Sequence, residues 1–340
     1  MLLFLGQSTE ILILLIAALA IDAYAGGFVW PRSLSRLNPA HLLGRLARWF
    51  DDRLNRPERT PRSLRLRGWV VLLTLLAVTI PAALAVHGLA MASGFGWALA
   101  MWLMVAFVTL RRSYDLAENA RRLLQGGTLA EARLSVDALT DRDIFRLDEH
   151  AVARVAVEAL TERFVAWVAA PLLWTALFGL PGLLVQAAAH AGAHILRRGD
   201  QALYGRAFTL ADRLFQTPAA WLAGLAFAIA AIAVPTAKPL AALRMLLRDG
   251  GKAARPDGRA GGRAGGRADG RALAAMAGAL DLSLGGPRLY AALTVPGEWI
   301  GSGRARLQPD DVRRALMLYA VSGVVLAGLL AATIVISLRL

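Results

Sequence analysis

The sequence predicts an all-α, polytopic membrane protein with about five or six transmembrane or re-entrant helices and a cytoplasmic helical subdomain. Hydrophobic residues make up 57% of its 340 residues, and they fall in long blocks that lack the amphipathic rhythm of soluble helices. Arginine is concentrated between these blocks. The chain has no cysteine, which excludes disulfides, zinc–thiolate sites and thiol catalysis.

The charge distribution indicates how the chain lies in its membrane. The net charge is +14, and almost all of the positive charge is arginine, because Lys238 and Lys252 are the only lysines. Arginine-rich loops beside apolar spans stay on the cytoplasmic side of a bilayer. We therefore expect a multi-pass protein of the cytoplasmic (inner) membrane, with the lipid bilayer as its partner and without nucleic acid.

The N-terminal part of the chain alternates between apolar and basic segments. Residues 1–25 form the first predicted span, built on the apolar block Ile11 to Ala20. Residues 26–68 form a basic cytoplasmic loop, in which 40–54 have the pattern of an interfacial amphipathic helix. Residues 69–110 then form a transmembrane helical hairpin, because glycines interrupt an otherwise apolar stretch.

The rest of the chain has four predicted segments. Residues 111–163 form the polar helical subdomain, and 164–237 contain a broken apolar segment followed by a span. Residues 238–315 form a cytoplasmic loop, and 316–340 form the last span.

The broken segment is where the sequence leaves the fold open. Pro171, Gly179, Pro181 and Gly182 interrupt it, and such breaks occur in membranes only where protein or a cavity covers the freed backbone. A re-entrant hairpin and a kinked span both fit. A simple count of spans places the arginine-rich stretch 197–213 on the outer side, in conflict with the charge rule.

Residues 257–272 are a tetrapeptide repeated four times: DGRA, GGRA, GGRA and DGRA. Their glycine content predicts a flexible linker. Arg–Gly tracts can also bind RNA, but no aromatic residue interleaves here for a base to stack on.

A set of carboxylates holds the strongest chemical signal. Glu158 and Glu162 are one helical turn apart and Arg154 is one turn earlier, so the three side chains share a helix face. Two such carboxylates could hold Mg²⁺ that bridges nucleotide phosphates. The alternative is a salt-bridged surface, with Arg154 paired to Glu158 and Glu162 facing Arg163 or solvent.

Two histidines have the spacing of metal ligands on a helix. His190 and His194 are four residues apart and could share a helix face, although no third ligand is near them in the sequence. A pair of partly buried histidines is the alternative. No P-loop, nucleophile-elbow or H-E-x-x-H motif is present.

Several motifs, in this order, resemble the adenosylcobinamide-phosphate synthase family of cobalamin biosynthesis. They are D-R-D at 141–143, the stretch through A-P-L-L-W at 170–174, M-A-G-A-L at 276–280, G-G-P at 285–287, W-I-G-S-G at 299–303 and L-Q-P-D-D-V-R-R-A-L at 307–316. Asp22 is a weaker match. The resemblance implies a membrane enzyme that uses ATP and Mg²⁺ to join adenosylcobyric acid to an aminopropanol or its phosphate.

The resemblance also implies roles for individual residues. Glu158 and Glu162 match the two glutamates of the family helix, so they are the candidate catalytic residues and metal ligands. The candidate cofactor-binding residues are Arg142, Asp143, Arg154 and Asp212.

The chain departs from the family at many polar positions. The family has an asparagine where this chain has Arg163, and its lysine, asparagine and aspartate are replaced by Gln186, Ala189 and Gly192. Losing one metal ligand or phosphate-binding charge commonly costs several kcal/mol of transition-state stabilisation. We therefore expect a catalytically degenerate relative.

Three functional hypotheses follow from these losses. The chain is a non-catalytic scaffold, partner subunit or regulator; or it is a working synthase with a relocated polar site that uses Asp200 or Asp212; or it is a transporter. A corrinoid and other membrane subunits are candidate partners. No internal repeat supports the transporter.

Overall fold

The computed structural model of the chain describes residues 9–26, 44–45, 48–50, 52–53, 60–92, 94–140, 142–196, 204–250, 269–290, 293–295 and 297–339. Most of these residues are helical, as the sequence predicts. Asp141, Asp200, most of the predicted amphipathic helix 40–54 and most of the Gly/Arg repeat lie outside the described residues.

The first helices build an apolar bundle. They are α1 (Thr9–Ala25), α2 (Pro61–Ala92) and α3 (Gly96–Phe107). The turn between α2 and α3 is tight, because a Cβ atom added at Gly96 would lie 1.7 Å from the carbonyl oxygen of Ala90. Only glycine allows this approach, because any other side chain would clash with that carbonyl oxygen.

Polar helices follow, and their ends are set by capping side chains. They are α4 (Arg111–Gly126), α5 (Leu129–Asp137) and α6 (Glu149–Phe164). Thr128 and Glu131 form a capping box at the start of α5, and Asp148 accepts a hydrogen bond from the backbone N–H of Ala151 at the start of α6.

The broken apolar segment folds back on itself. After a π-helical turn (Val165–Ala169), helix α7 (Ala170–Leu196) is interrupted at Gly179, whose φ is +65°. The rings of Trp167 and His190 are 5.2 Å apart. A straight helix would separate these residues by roughly 34 Å along its axis. The two halves of α7 therefore form a helical hairpin, one of the two arrangements that the sequence allows.

The C-terminal part packs short elements between two long helices. Helices α8 (Arg206–Ala230), α9 (Pro239–Arg248) and α10 (Gly270–Leu280) precede the last helix α11 (Pro309–Ser337). Four short strands join α10 to α11: β1 (Leu284–Gly285), β2 (Arg288–Tyr290), β3 (Leu293–Val295) and β4 (Trp299–Ile300). β1 pairs antiparallel with β4, and β2 with β3.

The last unit of the Gly/Arg repeat differs from the linker prediction. Asp269 precedes α10 and Gly270 begins it, and Ala272 is buried. The guanidinium of Arg271 lies 4.1 Å from the ring centroid of Trp221. The helix forms because α10 is buried between its neighbours, which outweighs the weak helix propensity of glycine.

Among the residues that the structure describes, three helical stretches are long and apolar enough to cross a bilayer: Pro61–Ala92, Glu149–Ile195 and Pro309–Ser337. The second contains the fold-back at Gly179. Helices α1 and α3, with 17 and 12 residues, are shorter than a full crossing usually needs. The spans predicted at α1 and α3 therefore remain predictions. The span predicted after the broken segment, within 164–237, also remains a prediction.

Candidate functional site

One face of α6 carries the residues that the sequence singles out. His150, Arg154, Glu158 and Glu162 follow each other at intervals of four, so they line one side of the helix. This side packs against the loop region 284–307. The Nδ1 atom of His150 lies 2.8 Å from the carbonyl oxygen of Leu307.

Glu158 is the centre of this face and is almost completely buried, with 1% of its surface exposed. Its Oε2 atom pairs with the guanidinium of Arg142. Its Oε1 atom accepts a hydrogen bond of 2.8 Å from the backbone N–H of Gly285. The carboxylate therefore links three segments that are far apart in the sequence, and its charge is compensated.

Arg142, not Arg154, is the ion-pair partner of Glu158. The alternative drawn from the spacing on α6 is wrong on this point. Arg154 turns away, because its guanidinium lies 5.0 Å from the ring centroid of Trp299 and donates to the carbonyl oxygen of Ala305 at 3.5 Å. A cation held over an aromatic face in this way stabilises the packing of the loop on α6.

Asp143 and Glu162 lie at the edges of the site. Asp143 accepts a hydrogen bond of 3.1 Å from the backbone N–H of Phe145, which closes a local turn. Glu162 is exposed, one helical turn beyond buried Glu158. The two glutamates thus have different surroundings, although they share a helix face.

Among the described residues, the site shows no cluster of ligands of the kind that holds Mg²⁺. Glu158 is already occupied by Arg142 and Gly285. Within the described ranges, no three His, Cys, Asp or Glu side chains converge as metal ligands. Mg²⁺ prefers several oxygen ligands in octahedral geometry. A metal-binding role for Glu158 and Glu162 stays a prediction that this arrangement does not favour.

Glycines of the family-like motifs pack the loop closely against the residues that follow α10. A Cβ atom at Gly301, where φ is +103°, would lie 2.1 Å from the carbonyl oxygen of Leu282. A Cβ at Gly303 would lie 2.0 Å from the carbonyl oxygen of Asp281. Glycine is needed at both positions for close backbone packing.

A second polar cluster joins the hairpin to α8. The Nδ1 atom of His190 lies 2.9 Å from Oδ1 of Asp212. The amide nitrogen of Gln216 lies 3.3 Å from the same Asp212 oxygen and 3.2 Å from His190 Nδ1. Asp212 was singled out in the sequence; Gln216 was not, although its position one turn after Asp212 on α8 placed it on the same helix face.

His190 and His194 have different surroundings. His190 is partly buried and faces Asp212, whereas His194 is exposed. Only His190 therefore fits the alternative of partly buried histidines, and the shared metal site stays a prediction.

The same hairpin arm carries the positions at which this chain departs from the family pattern. Ala189 is fully buried, and Gln186 is 2% exposed with its Oε1 atom unpaired among the described residues. A Cβ at Gly192 would lie 2.5 Å from ring atoms of Phe208, which is itself fully buried. The aromatic ring therefore occupies the space beside Gly192, leaving no room for a side chain there.

Asp22 has a structural role that the sequence only hinted at. Its Oδ2 atom accepts hydrogen bonds from the backbone N–H groups of Leu110 and Arg111, at 2.5 and 3.0 Å. These groups begin α4 and have no partner within that helix. The end of α1 is thereby fixed to the start of the polar helices.

These features define an α-helical membrane protein whose polar helices are fixed to a glycine-rich loop by a buried ion pair. A profile of the CobD/Cbib protein family matches residues 15–319. The chain belongs to the CobD/CbiB family of cobalamin biosynthesis.

Named relatives agree with the family assignment. The chain is 33% identical to a cobalamin biosynthesis protein CobD of Sinorhizobium sp, with 95% of this chain and 98% of the relative covered. It is 33% identical to the protein of that name from Rhizobium meliloti (strain 1021), with 92% and 94% covered. The protein of that name from Rhodobacter capsulatus is 31% identical, with 92% and 95% covered. No solved structure matches significantly.

Proposed function

We propose that this chain is a catalytically degenerate member of the CobD/CbiB family. It keeps the family scaffold in the inner membrane but does not join adenosylcobyric acid to an aminopropanol, and it acts as a scaffold or partner subunit of a membrane complex. The observation that carries the proposal is the packing of Gly192 against Phe208, at a position where the family pattern has an aspartate.

The neighbouring replacements support the same conclusion. Where the family pattern has a lysine and an asparagine, this arm has Gln186 and Ala189, both buried. A phosphoryl or acyl-phosphate intermediate requires positive charge and hydrogen bonds from its site. The amide of Gln186 has no charge, and the methyl group of Ala189 has neither a charge nor a hydrogen-bonding atom. Because Phe208 fills the adjacent space, an aspartate at residue 192 would clash with its ring.

The test is complementation of a bacterial strain that lacks its own cobinamide-phosphate synthase and is supplied with cobyric acid. We expect that expression of this chain does not restore growth. The Rhizobium meliloti relative, expressed from the same plasmid, is the positive control. Immunoblotting of membranes and a single symmetric peak in detergent chromatography show that the chain is present and folded.

A matched variant of the relative tests the cause. Its residues that align with Gln186, Ala189 and Gly192 are replaced by glutamine, alanine and glycine. We expect this triple variant to lose complementation while it remains in the membrane. Growth supported by this chain, or by the triple variant of the relative, contradicts the proposal.

The second candidate is an active synthase with a relocated polar site. The contact of 2.9 Å between Asp212 and His190 favours it, because it places a carboxylate beside the altered hairpin arm. In that case this chain restores growth, Asp212→Asn abolishes it, and Arg313→Gln, a change at an exposed side chain of α11, leaves it intact.

A further inference from the structure

Helix α9 has two surfaces of different chemistry. Ala242 and Leu246 are buried, and the side chain of Leu246 packs on Gly224 of α8. On a neighbouring side of the helix, about 110° from the buried residues at 100° per residue, Leu240, Leu243 and Leu247 are exposed by 68%, 37% and 61%. The spacing of three and four residues places these leucines in one stripe along the helix.

Two arginines border the leucine stripe. Arg244 and Arg248 are exposed, and at 100° per residue they lie on the side of the stripe next to Leu240 and Leu247. Lys238, just before the helix, has a different role, because its Nζ atom pairs with Asp281 at 2.8 Å. An apolar stripe edged by cationic side chains is the pattern of a helix that lies in the headgroup region of a membrane.

The neighbouring helix continues the apolar surface. Leu225 and Ile229 of α8 flank Gly224 and the adjacent turn, and they are 41% and 45% exposed. Ile232, just after α8, is 75% exposed. Because α8 and α9 pack against each other, both present apolar side chains to the outside in a chain that already resides in a bilayer.

We infer that α9 is an interfacial helix that binds an anionic lipid surface. Its leucines enter the boundary of the hydrocarbon, and Arg244 and Arg248 contact anionic headgroups. Because α9 packs on α10, this contact holds both helices, and with them the start of the loop over α6, against the membrane. The inference does not depend on whether the chain is catalytic.

The absence of native cysteine allows a direct test on the full-length chain. Leu247→Cys is labelled with an environment-sensitive fluorophore and reconstituted in phosphatidylcholine–phosphatidylglycerol vesicles. Leu134→Cys, on the polar helix α5, is the matched control, because both leucines are 61% exposed. We expect brominated lipids to quench the label at 247 strongly, and aqueous iodide to quench the label at 134.

Two outcomes overturn the inference. In the first, iodide quenches the label at 247 as strongly as the label at 134, which means that α9 faces water. Protection from both iodide and brominated lipid means that another protein surface covers the stripe.

The arginines are tested with the same label. At equal mole fraction, brominated phosphatidylglycerol should quench the label at 247 more than brominated phosphatidylcholine. Arg244→Gln and Arg248→Gln should each lower this preference about fivefold, as expected for one cationic side chain at an anionic surface. Arg146→Gln should leave it unchanged. An unchanged preference in the Arg244→Gln/Arg248→Gln double variant contradicts the role of the arginines.

Discussion

The ion pair on α6 and the polar cluster on the hairpin show two different outcomes for family-like residues. Around Glu158 the family pattern is kept, and the residues that keep it connect α6 to Arg142 and to the backbone of Gly285. Around His190 the pattern is replaced, and the replacements are small or uncharged side chains packed in the core. Both regions lie on or next to helices α6 and α7.

The difference indicates which residues hold the fold. Asp311 behaves like Glu158, because its side chain is only 2% exposed and pairs with an arginine. One guanidinium nitrogen of Arg304 donates to both of its carboxylate oxygens, at 2.6 and 2.7 Å. Asp311 also caps α11 by accepting from the backbone N–H of Gln308. Kept residues thus join separate segments or cap helices. Residues whose loss leaves a well-packed core have been replaced.

The largest expected effect comes from breaking the buried pair. Glu158→Ala leaves the guanidinium of Arg142 without its partner and the N–H of Gly285 without an acceptor. We expect a loss of about 3–5 kcal/mol in the free energy of unfolding. Denaturant titration of the detergent-solubilised protein, followed by circular dichroism, measures it.

Glu162→Ala is the matched control, because Glu162 is exposed one turn later on the same helix. We expect its effect to be within about 0.5 kcal/mol. A pair of equal effects would mean that the two glutamates have equivalent roles, which contradicts the distinction between them. Replacing Arg142 and Glu158 together by methionine should recover part of the stability.

A smaller effect is expected at the altered hairpin arm. Gly192→Ala forces a methyl group against the ring of Phe208, so we expect a loss of about 1–3 kcal/mol in unfolding free energy. Gly88→Ala is the control, because no atom lies within 4 Å of the added Cβ. There we expect no loss, or a gain of up to about 1 kcal/mol from helix propensity.

Removing the ring separates steric conflict from backbone effects. In the Phe208→Ala background, Gly192→Ala should cost much less than in the native chain. A cost that stays the same would show that Phe208 does not fill the space beside residue 192. The proposed reason why an acid cannot be accommodated there would then fail.

The sequence predicted where the hairpin breaks but not how its halves are placed. Gly179 and Pro181 marked the interruption, whereas the direction of the second half depends on the contact between Trp167 and His190. The fold-back also bears on the charge conflict at 197–213. Gly68 packs on the carbonyl of Tyr204, which places the start of α8 beside the arginine-rich start of α2. A re-entrant hairpin would return the chain to that side.

The site was predictable in part, for a related reason. Spacing of four residues placed Arg154, Glu158 and Glu162 on one helix face, and α6 has this arrangement. The choice between Arg142 and Arg154 as the partner of Glu158 was not predictable, since helix geometry favours the near arginine and the packing of Trp299 removes it. Periodicity gives the face of a helix, and tertiary contacts decide what meets it.

A third ion pair, on α4, sharpens the comparison because its chemistry is similar and its carboxylate is more exposed to solvent. Glu118 accepts hydrogen bonds from Arg121 and Arg122, and these bonds lower the pKa of its carboxyl from 4.5 to about 2. Because the folded-state pKa is lowered, the stabilisation is present above about pH 4.5 and is lost as the pH falls toward 2. We expect Glu118→Gln to cost about 1 kcal/mol at pH 7, less than Glu158→Ala, because the pair is only partly buried.

Unfolding titrations at pH 7 and pH 3 measure this effect. The gap in unfolding free energy between the native chain and the variant should narrow on acidification. A gap of equal size at both pH values would show that the two arginines do not stabilise the ionised carboxylate.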